Sequence, residues 1–400
     1  MLSKIVEAYR TAYAGLPPQI WMLSFALFVN RCGTMVLPFL TLYLTKSQGY
    51  SDSAAGFMVS IWGIGSVIGT YAGGRLTSKV GCVRLQIILF IAAMPLFFLL
   101  PFCRTYLEFA GVVLVLAAIN EGVRPASSTA ISLFSSEEHR TRAFALQRTA
   151  LNLGFSFGPA IGGLLIRYLG YFWVFVADGL TTFACAIILA WFFGLGKKSR
   201  QEPETNQDQN IINRSPMLDR GYMMFLGLTM LCAFVFFQFH ATYPLYLKDH
   251  YLLDEFQIGL LFAVNTIIIV AVEMLLVEYV KRWKMLLLIG WGNFLTCIGF
   301  GLLPFSSLVM FSVFSMVVIT AGEMLSMPLS TSWVSKRSEG YDTGVYMGWY
   351  SMNYAIACIV GPVVGGLIYE YNRELVFHVC TVVGVIVLIG FYWLQRRLGE

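Results

Sequence analysis

Polar and apolar positions along this chain are segregated into blocks instead of alternating. Runs such as Ile87–Pro101 and Gly111–Ile119 are continuous and apolar, whereas a membrane β-barrel shows alternating segments of about ten residues. A spanning helix needs about 20 mostly apolar residues. On that length the pattern predicts an all-α membrane protein of about twelve transmembrane helices. They are expected near 18–45, 54–77, 85–102, 106–134, 141–168, 171–194, 220–247, 255–280, 285–304, 307–335, 342–370 and 374–395. The first run follows Lys4 and Arg10, is too long for a signal-peptide core and contains Arg31, so it is read as the first span. One stretch is clearly hydrophilic, from Gly196 to Arg220, and reads as a flexible linker. The expected organisation is a six-helix bundle over 1–195, a cytoplasmic linker over 196–219 and a second six-helix bundle over 220–400.

The two bundles repeat one another. Adding 203 to a position in the first half gives its counterpart in the second without gaps. Leu42-Tyr43-Leu44 maps to Leu245-Tyr246-Leu247, Gly56 to Gly259, Lys79 to Arg282 and Pro125 to Pro328. Gly158-Pro159-x-x-Gly162-Gly163 maps to Gly361-Pro362-x-x-Gly365-Gly366, and Tyr168 to Tyr371. Six spans per half, an even number, give both halves the same orientation. That is a parallel repeat about an axis along the membrane normal.

Composition narrows the solvent. Apolar residues make up 58% and charged residues 12% of 400 residues, against roughly a quarter charged in soluble domains. Lipid is therefore the expected surroundings, and the backbone must satisfy its own hydrogen bonds there. The net charge of +5 is explained by loop topology and does not imply nucleic acid. With both termini inside, the inner segments hold nineteen of the 27 basic residues, among them Arg75, Lys79, Arg84, Arg140, Arg142, Lys281, Arg282, Lys284, Lys336, Arg337, Arg396 and Arg397. The outer loops hold Lys46, Arg104, Arg167, Lys248 and Arg373. This asymmetry predicts cytoplasmic termini in the cell membrane.

Enzyme and pump chemistries find no support. The cysteines lie mostly in apolar stretches (Cys32, Cys185, Cys232, Cys297, Cys358, Cys380) with no CxxC pair, and read as small apolar filler. No HExxH, GxSxG or clustered metal ligands occur. Gly194-Leu-Gly-Lys-Lys-Ser lacks P-loop spacing. No cofactor or metal is expected.

Two parallel six-helix halves joined by a polar loop resemble the Major Facilitator Superfamily. Gly74-Arg-Leu-Thr-Ser-Lys79-Val-Gly81-Cys-Val-Arg84 resembles that family's loop between spans 2 and 3, with Ser78 at its acidic position and Cys82-Val83 at its paired basic positions. Gly154-x-x-x-Gly158-Pro159-x-x-Gly162-Gly163 resembles the motif of proton-coupled drug exporters, and its echo at Gly361-Pro362-x-x-Gly365-Gly366 makes it less specific for export. Asn30-Arg31-x-Gly33-x-x-x-x-Pro38-Phe-x-x-x-Tyr43 and Arg142-Ala-Phe-x-x-x-Arg148-x-x-x-Asn152-x-Gly154 look like the multidrug-efflux branch. Arg31 is similar to the arginine of peptide–proton symporters, without their preceding glutamates. The resemblance implies that spans 1, 4, 7 and 10 line a central cavity. Independently of any family, small residues four apart let helix backbones approach closely, and a Gly-Pro break lets a helix bend. Packing alone is the alternative role for these glycines.

An ionisable side chain at the bilayer centre costs roughly 2.5–3.5 kcal/mol on insertion scales, so those inside spans are the candidates for transport. They are Arg31, Glu121, Arg124, Arg148, Asp178, Glu273 and Glu323. Glu121 and Arg124 are three apart and share a helix face. Burial raises a carboxyl pKa and a nearby arginine lowers it. Glu121 with Arg124 or Arg31 is the leading proton-coupling site, a structural ion pair being the alternative. Glu323, one position off Glu121 in the repeat, is the second; its alternative is a carboxyl bonded to Ser326 or a neighbouring span. Glu273 is placed about two turns from the inner end, within reach of the headgroups, and Asp178 in an outer part of span 6. Arg148 and Asn152 share a face and favour a structural role, as does His240. Aromatic residues of span 7 (Phe234, Phe236, Phe237, Phe239, Tyr243) and span 11 (Tyr346, Trp349, Tyr350, Tyr354) would suit an amphipathic substrate if they face the cavity.

The expected function is secondary transport of a small, amphipathic molecule by alternating access in a monomeric carrier, as proton-coupled efflux. The alternative is a proton-coupled importer of a nutrient or siderophore. The expected partners are that substrate and the lipid bilayer.

Overall fold

The computed structural model describes residues 7, 13–36, 39–40, 43–50, 52–194, 215–253 and 255–399. Most of the predicted linker, Pro38, Leu42, and the side chains of Pro159 and His240 lie outside the described residues. Among those described there are thirteen α-helices and no strand. They are α1 (Pro18–Cys32), α2 (Asp52–Val80), α3 (Cys82–Leu99), α4 (Tyr106–Phe134), α5 (Arg140–Leu169), α6 (Phe172–Phe193), α7 (Arg220–Phe236), α8 (Thr242–Asp249), α9 (Glu255–Val280), α10 (Met285–Leu302), α11 (Val309–Arg337), α12 (Thr343–Tyr371) and α13 (Leu375–Leu398).

Among the described residues eleven helices are long and apolar enough to cross a membrane; the first of the twelve expected spans is not among them, and residues 37, 38, 41 and 42 of it lie outside the described residues. α1 stops after 15 residues at Cys32, and Gly33–Met35 leave the helix. The seventh span is interrupted too. α7 ends at Phe236, a 3₁₀ turn covers Phe237–His240, and α8 resumes at Thr242. Large apolar side chains such as Leu107, Leu164, Trp191, Ile267, Leu367 and Ile389 are exposed on the helices, as a lipid-facing surface requires.

Local chemistry sets several boundaries. Thr105 caps α4 in a capping box, its hydroxyl accepting the Glu108 N–H (3.3 Å) while the Glu108 carboxylate accepts the Arg104 and Thr105 N–H groups (2.9 and 3.3 Å). α2 and α3 are joined by Gly81 alone, at φ +93°, a conformation that only glycine adopts without strain. This gives the loop-motif glycine a backbone role, while Lys79 and Arg84 are exposed beside it.

The helices group into two compact units. One comprises α1–α6 with residues 338–355, which include the start of α12; the other comprises α7–α11, the rest of α12 and α13. In the first unit α2 lies against α4 through three glycines one turn apart. A β-carbon on Gly65 would be 2.5 Å from the Leu114 carbonyl oxygen; Gly69 meets Ala118, and Gly73 meets Gly122. Gly74 of the loop motif touches the start of α12, where a β-carbon would come within 2.7 Å of Gly348 Cα. In the second unit the corresponding close approach is between α10 and α11: Gly292 meets Ser326 N at 2.7 Å, and Gly299 meets Ile319 N at 2.9 Å. Spans 4 and 10 are repeat partners, yet the glycine-lined faces on which they pack differ.

One polar lock fixes the start of the second unit. Asp219 caps α7 by accepting the Tyr222 N–H (3.1 Å) and receives two hydrogen bonds from Arg337 at the end of α11 (2.8 and 2.9 Å). Burial pushes the Asp219 carboxyl up, but the Arg337 bonds and the Tyr222 N–H outweigh it and hold its pKa below the ordinary value. A carboxyl depressed on folding contributes stability above its unfolded pKa and loses it as pH falls through the folded one. Asp219→Asn is therefore expected to lower stability by about 1–2 kcal/mol at neutral pH. Thermal melts in detergent should show the gap to wild type closing on acidification below the usual carboxylate range.

Candidate functional site

The candidate charges of the first unit gather around the interruption of the first span. Arg31 occupies the last turn of α1, and α5 presses against it. A β-carbon on Gly154 would lie 2.6 Å from Arg31 Cβ and 2.9 Å from the Phe28 carbonyl oxygen; one on Gly158 would lie 3.0 Å from the Arg31 carbonyl and 3.1 Å from that of Thr34. Gly162 would meet Met35 Cβ at 3.1 Å and the Phe39 ring at 2.8 Å. Three predicted glycines of the Gly-Pro motif thus seat α5 directly on the break. Gly163 has only Phe39 at 3.8 Å, and no close packing depends on it.

From the opposite side α6 supplies Asp178, 2% exposed. Its carboxylate accepts the Met35 N–H (2.9 Å) and the Val36 N–H (2.9 Å). Met35 is the last residue of the break and Val36 the first after it; a continuous helix would bond both amides to carbonyls one turn earlier, and the Met35 N–H also donates to the Gly33 carbonyl (2.8 Å). A β-carbon on Gly33 would collide with the Thr181 side chain, one turn along α6 from Asp178.

Glu121 and Arg124 pair on α4 at 2.7 Å, with side chains 13% and 40% exposed respectively. Both act electrostatically on Arg31. The Arg31 guanidinium lies 4.9 Å from the centre of the Phe155 ring, a cation–π arrangement, while its Nε is buried with no hydrogen-bond partner among the described residues. Asn152, one turn before Phe155 on the same face of α5, also has a buried amide nitrogen without an acceptor among the described residues. The cluster therefore holds two guanidinium groups to one carboxylate, with unused donors on Arg31 and Asn152. Arg148 lies one further turn along that face and has its own partners.

In the second unit, Glu323 is 4% exposed and receives a hydrogen bond from the Asn265 side chain (3.2 Å), which also bonds Thr320 (2.9 Å). Its partner is on α9; Ser326 instead bonds the Gly322 carbonyl (2.8 Å). Glu273 is fully buried. The sequence places it within reach of headgroups; the helix face it occupies packs inward instead. Gly361 meets the Phe234 carbonyl at 3.2 Å, and Gly365 meets the Gln238 side chain. Nothing lies within 4 Å of a β-carbon on Gly366. Pro362 sits within α12.

Gln238 carries a role that the sequence reading missed. At the break of the seventh span its amide nitrogen donates to the Gly361 and Phe234 carbonyls (2.8 and 3.0 Å), and its oxygen accepts from Thr242 (3.0 Å). It satisfies the opened helix and ties it to α12. The one signal available was a lone amide between Phe237 and Phe239. Of the span 7 aromatics Phe239 and Tyr243 pack inward: they stack on each other (5.4 Å), and both touch Phe262 and Phe300, while Phe234, Phe236 and Phe237 are half-buried. Tyr350 and Tyr354 share a hydrogen bond (3.3 Å), and Trp349 packs on Tyr71. A hollow of about 440 Å³ at the start of α1, lined by Trp21, Met22, Phe25 and Phe192, is apolar and contains none of these charges.

Among the described residues no group of three His, Cys, Asp or Glu side chains is placed to hold a metal ion. Comparison with known proteins sets this arrangement in a family. The sequence profile of the Major Facilitator Superfamily matches residues 23–362 and 242–399. A Na(+), Li(+), K(+)/H(+) antiporter of Planococcus maritimus is 26% identical over 84% of this chain and 86% of its own length. The quinolone resistance protein NorA of Staphylococcus aureus is 22% identical over 93% of this chain and 96% of its own. The crystal structure of the E. coli fucose:proton symporter FucP superposes with a TM-score of 0.72 at 13% identity, covering 94% of this chain and 98% of that one. A profile match running nearly end to end, on an all-helical chain with two broken spans, establishes that this multi-pass membrane protein belongs to the Major Facilitator Superfamily, as a transporter and not an enzyme.

Proposed function

We propose that this transporter exports small amphipathic compounds in exchange for protons, by alternating access between two six-helix bundles (1–195 and 220–400). In this reading it works as a monomer in the cell membrane with both termini cytoplasmic, and the proton is its coupling ion, with no other cofactor. The observation that carries the reading is the Glu121–Arg124 pair, 2.7 Å apart within a spanning helix and acting on Arg31. Ionisable side chains within spans mark proton and substrate pathways, and a carboxylate paired with an arginine there offers a group on which a proton can be carried. Protonation removes the attraction to Arg124, so the state of the pair reports which side the site faces. Glu323 and Glu273 are the second unit's candidates for the same work. The antiporter and the quinolone resistance protein among its relatives support exchange and drug-like substrates.

A second reading, proton-coupled import, is favoured by one observation. Among the described residues Arg31 Nε and the Asn152 amide nitrogen have no acceptor, and the cluster carries excess positive charge. An anionic substrate would satisfy both. Protonating Glu121 would strengthen its binding, so proton and anion would load together, as in symport.

Everted membrane vesicles acidified inside and carrying a pH-sensitive dye separate the two readings. Export predicts that adding a transported compound, from a panel including a quinolone, releases protons from the lumen. Symport predicts substrate efflux with the protons and no release by external compound. A panel that never moves the dye signal beyond vesicles lacking the carrier would count against proton coupling in either direction.

A further inference from the structure

The geometry points to Asp178 as a protonation-sensitive latch on the broken first span: its carboxylate holds the break in place, and neutralising it frees the segment that carries Arg31. Both carboxylate oxygens act as acceptors, toward the Met35 and Val36 N–H groups at 2.9 Å each. A neutral carboxyl carries a hydrogen on one oxygen, which would face an N–H and cost one of these bonds. Arg31 lies four residues before Met35, so the latch is a positioning device for that side chain and not a group that touches substrate.

Comparison of the two breaks argues that the charge has a purpose. The seventh span is opened at the corresponding place, and there the neutral Gln238 closes the gap, bonding Gly361, Phe234 and Thr242. Thr381 stands at the repeat position of Asp178 and bonds the Phe377 carbonyl of its own helix (3.3 Å). A break of this kind can therefore be satisfied without an ionisable group, yet the first unit buries one. An unpaired carboxylate in a membrane interior is costly, and among general explanations for retaining it the foremost is a change of protonation.

Among the described residues no other charge is placed to compete for this role. α6 packs against α1, α3 and α5. Arg31 and Cys32 are the titratable groups of α1; α3 has Cys82 and Arg84 at its start; α5 has Arg140, Arg142, Arg148, Arg167 and Tyr168; α6 itself has Cys185 beyond Asp178. Among the described residues the Asp178 carboxylate has its hydrogen bonds from the Met35 and Val36 amides. The inference holds for export and import alike.

Hydrogen–deuterium exchange with residue-resolved fragmentation, on the full chain in lipid nanodiscs, tests it without a substrate. Expressed as protection factors, which remove the intrinsic pH dependence of exchange, the Val36 amide should be protected in wild type at alkaline pH; Met35, which also donates to the Gly33 carbonyl (2.8 Å), is the less sensitive reporter. Val36 should lose protection at least tenfold on acidification, ahead of the rest of α1–α6. Asp178→Asn, which mimics the neutral acid, should show the low protection at every pH. Exchange at the unprotected rate in wild type, protection independent of pH, or unchanged protection in Asp178→Asn would each overturn the latch. If Asp178→Asn fails to fold, the wild-type pH profile alone decides. A loss of protection spread evenly over the unit would assign Asp178 to general stability and overturn it as well.

Discussion

Replacing Glu121 by glutamine is expected to abolish uphill transport while leaving a folded carrier that still equilibrates its substrate. Glutamine has nearly the same shape as the glutamate and keeps an oxygen for the Arg124 guanidinium, 2.7 Å away in wild type. It cannot bind or release a proton in the physiological range. One pH unit stores about 1.4 kcal/mol per proton, so a one-proton carrier sustains about a tenfold substrate gradient for each unit. The variant should sustain none, with inner and outer concentrations equal at steady state. Accumulation in proteoliposomes under an imposed pH gradient measures this directly. Glu121→Ala should behave worse, because it strands Arg124. Removing one partner of a fully buried pair costs about 3–5 kcal/mol, but Arg124 is 40% exposed, so a penalty of about 1–2 kcal/mol is expected after screening. It would be read as a lower melting temperature in detergent.

Gly69→Val is expected to remove the folded carrier altogether. A β-carbon at Gly69 would meet the Ala118 backbone, with the carbonyl carbon at 2.7 Å and Cα at 2.8 Å, besides the carbonyl oxygen. These are backbone atoms of a neighbouring helix, so no rotamer change relieves the clash. Gly65 and Gly73 sit a turn to either side against Leu114 and Gly122, so α2 cannot tilt away at one end without opening the other. Overpacking a core costs about 1–3 kcal/mol when neighbours can move, and here the helices must separate. Most of the protein should elute as aggregate in size-exclusion chromatography. Gly366→Val is the control, since nothing lies within 4 Å of its β-carbon. It should change stability by no more than about 0.5 kcal/mol.

Some of this was legible in the residues and some was not. The apolar blocks announced spanning helices because lipid imposes one requirement on every residue of a span. The i, i+3 spacing of Glu121 and Arg124 announced their pairing, since helix geometry alone brings them together. Gly154, Gly158 and Gly162 could be read as sites of close backbone approach, though not that their target is the break at Gly33. That break was legible only in part. Gly33 and Pro38 disfavour a continuous helix within this apolar run, but nothing nearby points to Asp178, more than 140 positions away, as the acceptor for the Met35 and Val36 amides. Long-range partners of this kind have no local pattern. The same holds for Glu323, whose bond to Asn265 crosses 58 positions, and for Gln238, whose reach to Gly361 spans 123. Glu273 was misplaced for a related reason. Its distance from the end of α9 suggested headgroups, while the face it occupies is set by neighbours that only the fold assembles.

The central claim is that the charges buried around the first span, Glu121 above all, couple protons to substrate movement. Proton exchange on binding tests it most directly. Purified carrier in weakly buffered detergent with a pH indicator is titrated with a compound that it transports. The wild-type protein should release close to one proton per bound molecule near the pH at which the site titrates, and Glu121→Gln should release none. Binding by the wild type without any proton release or uptake between about pH 5 and 9 would contradict the account.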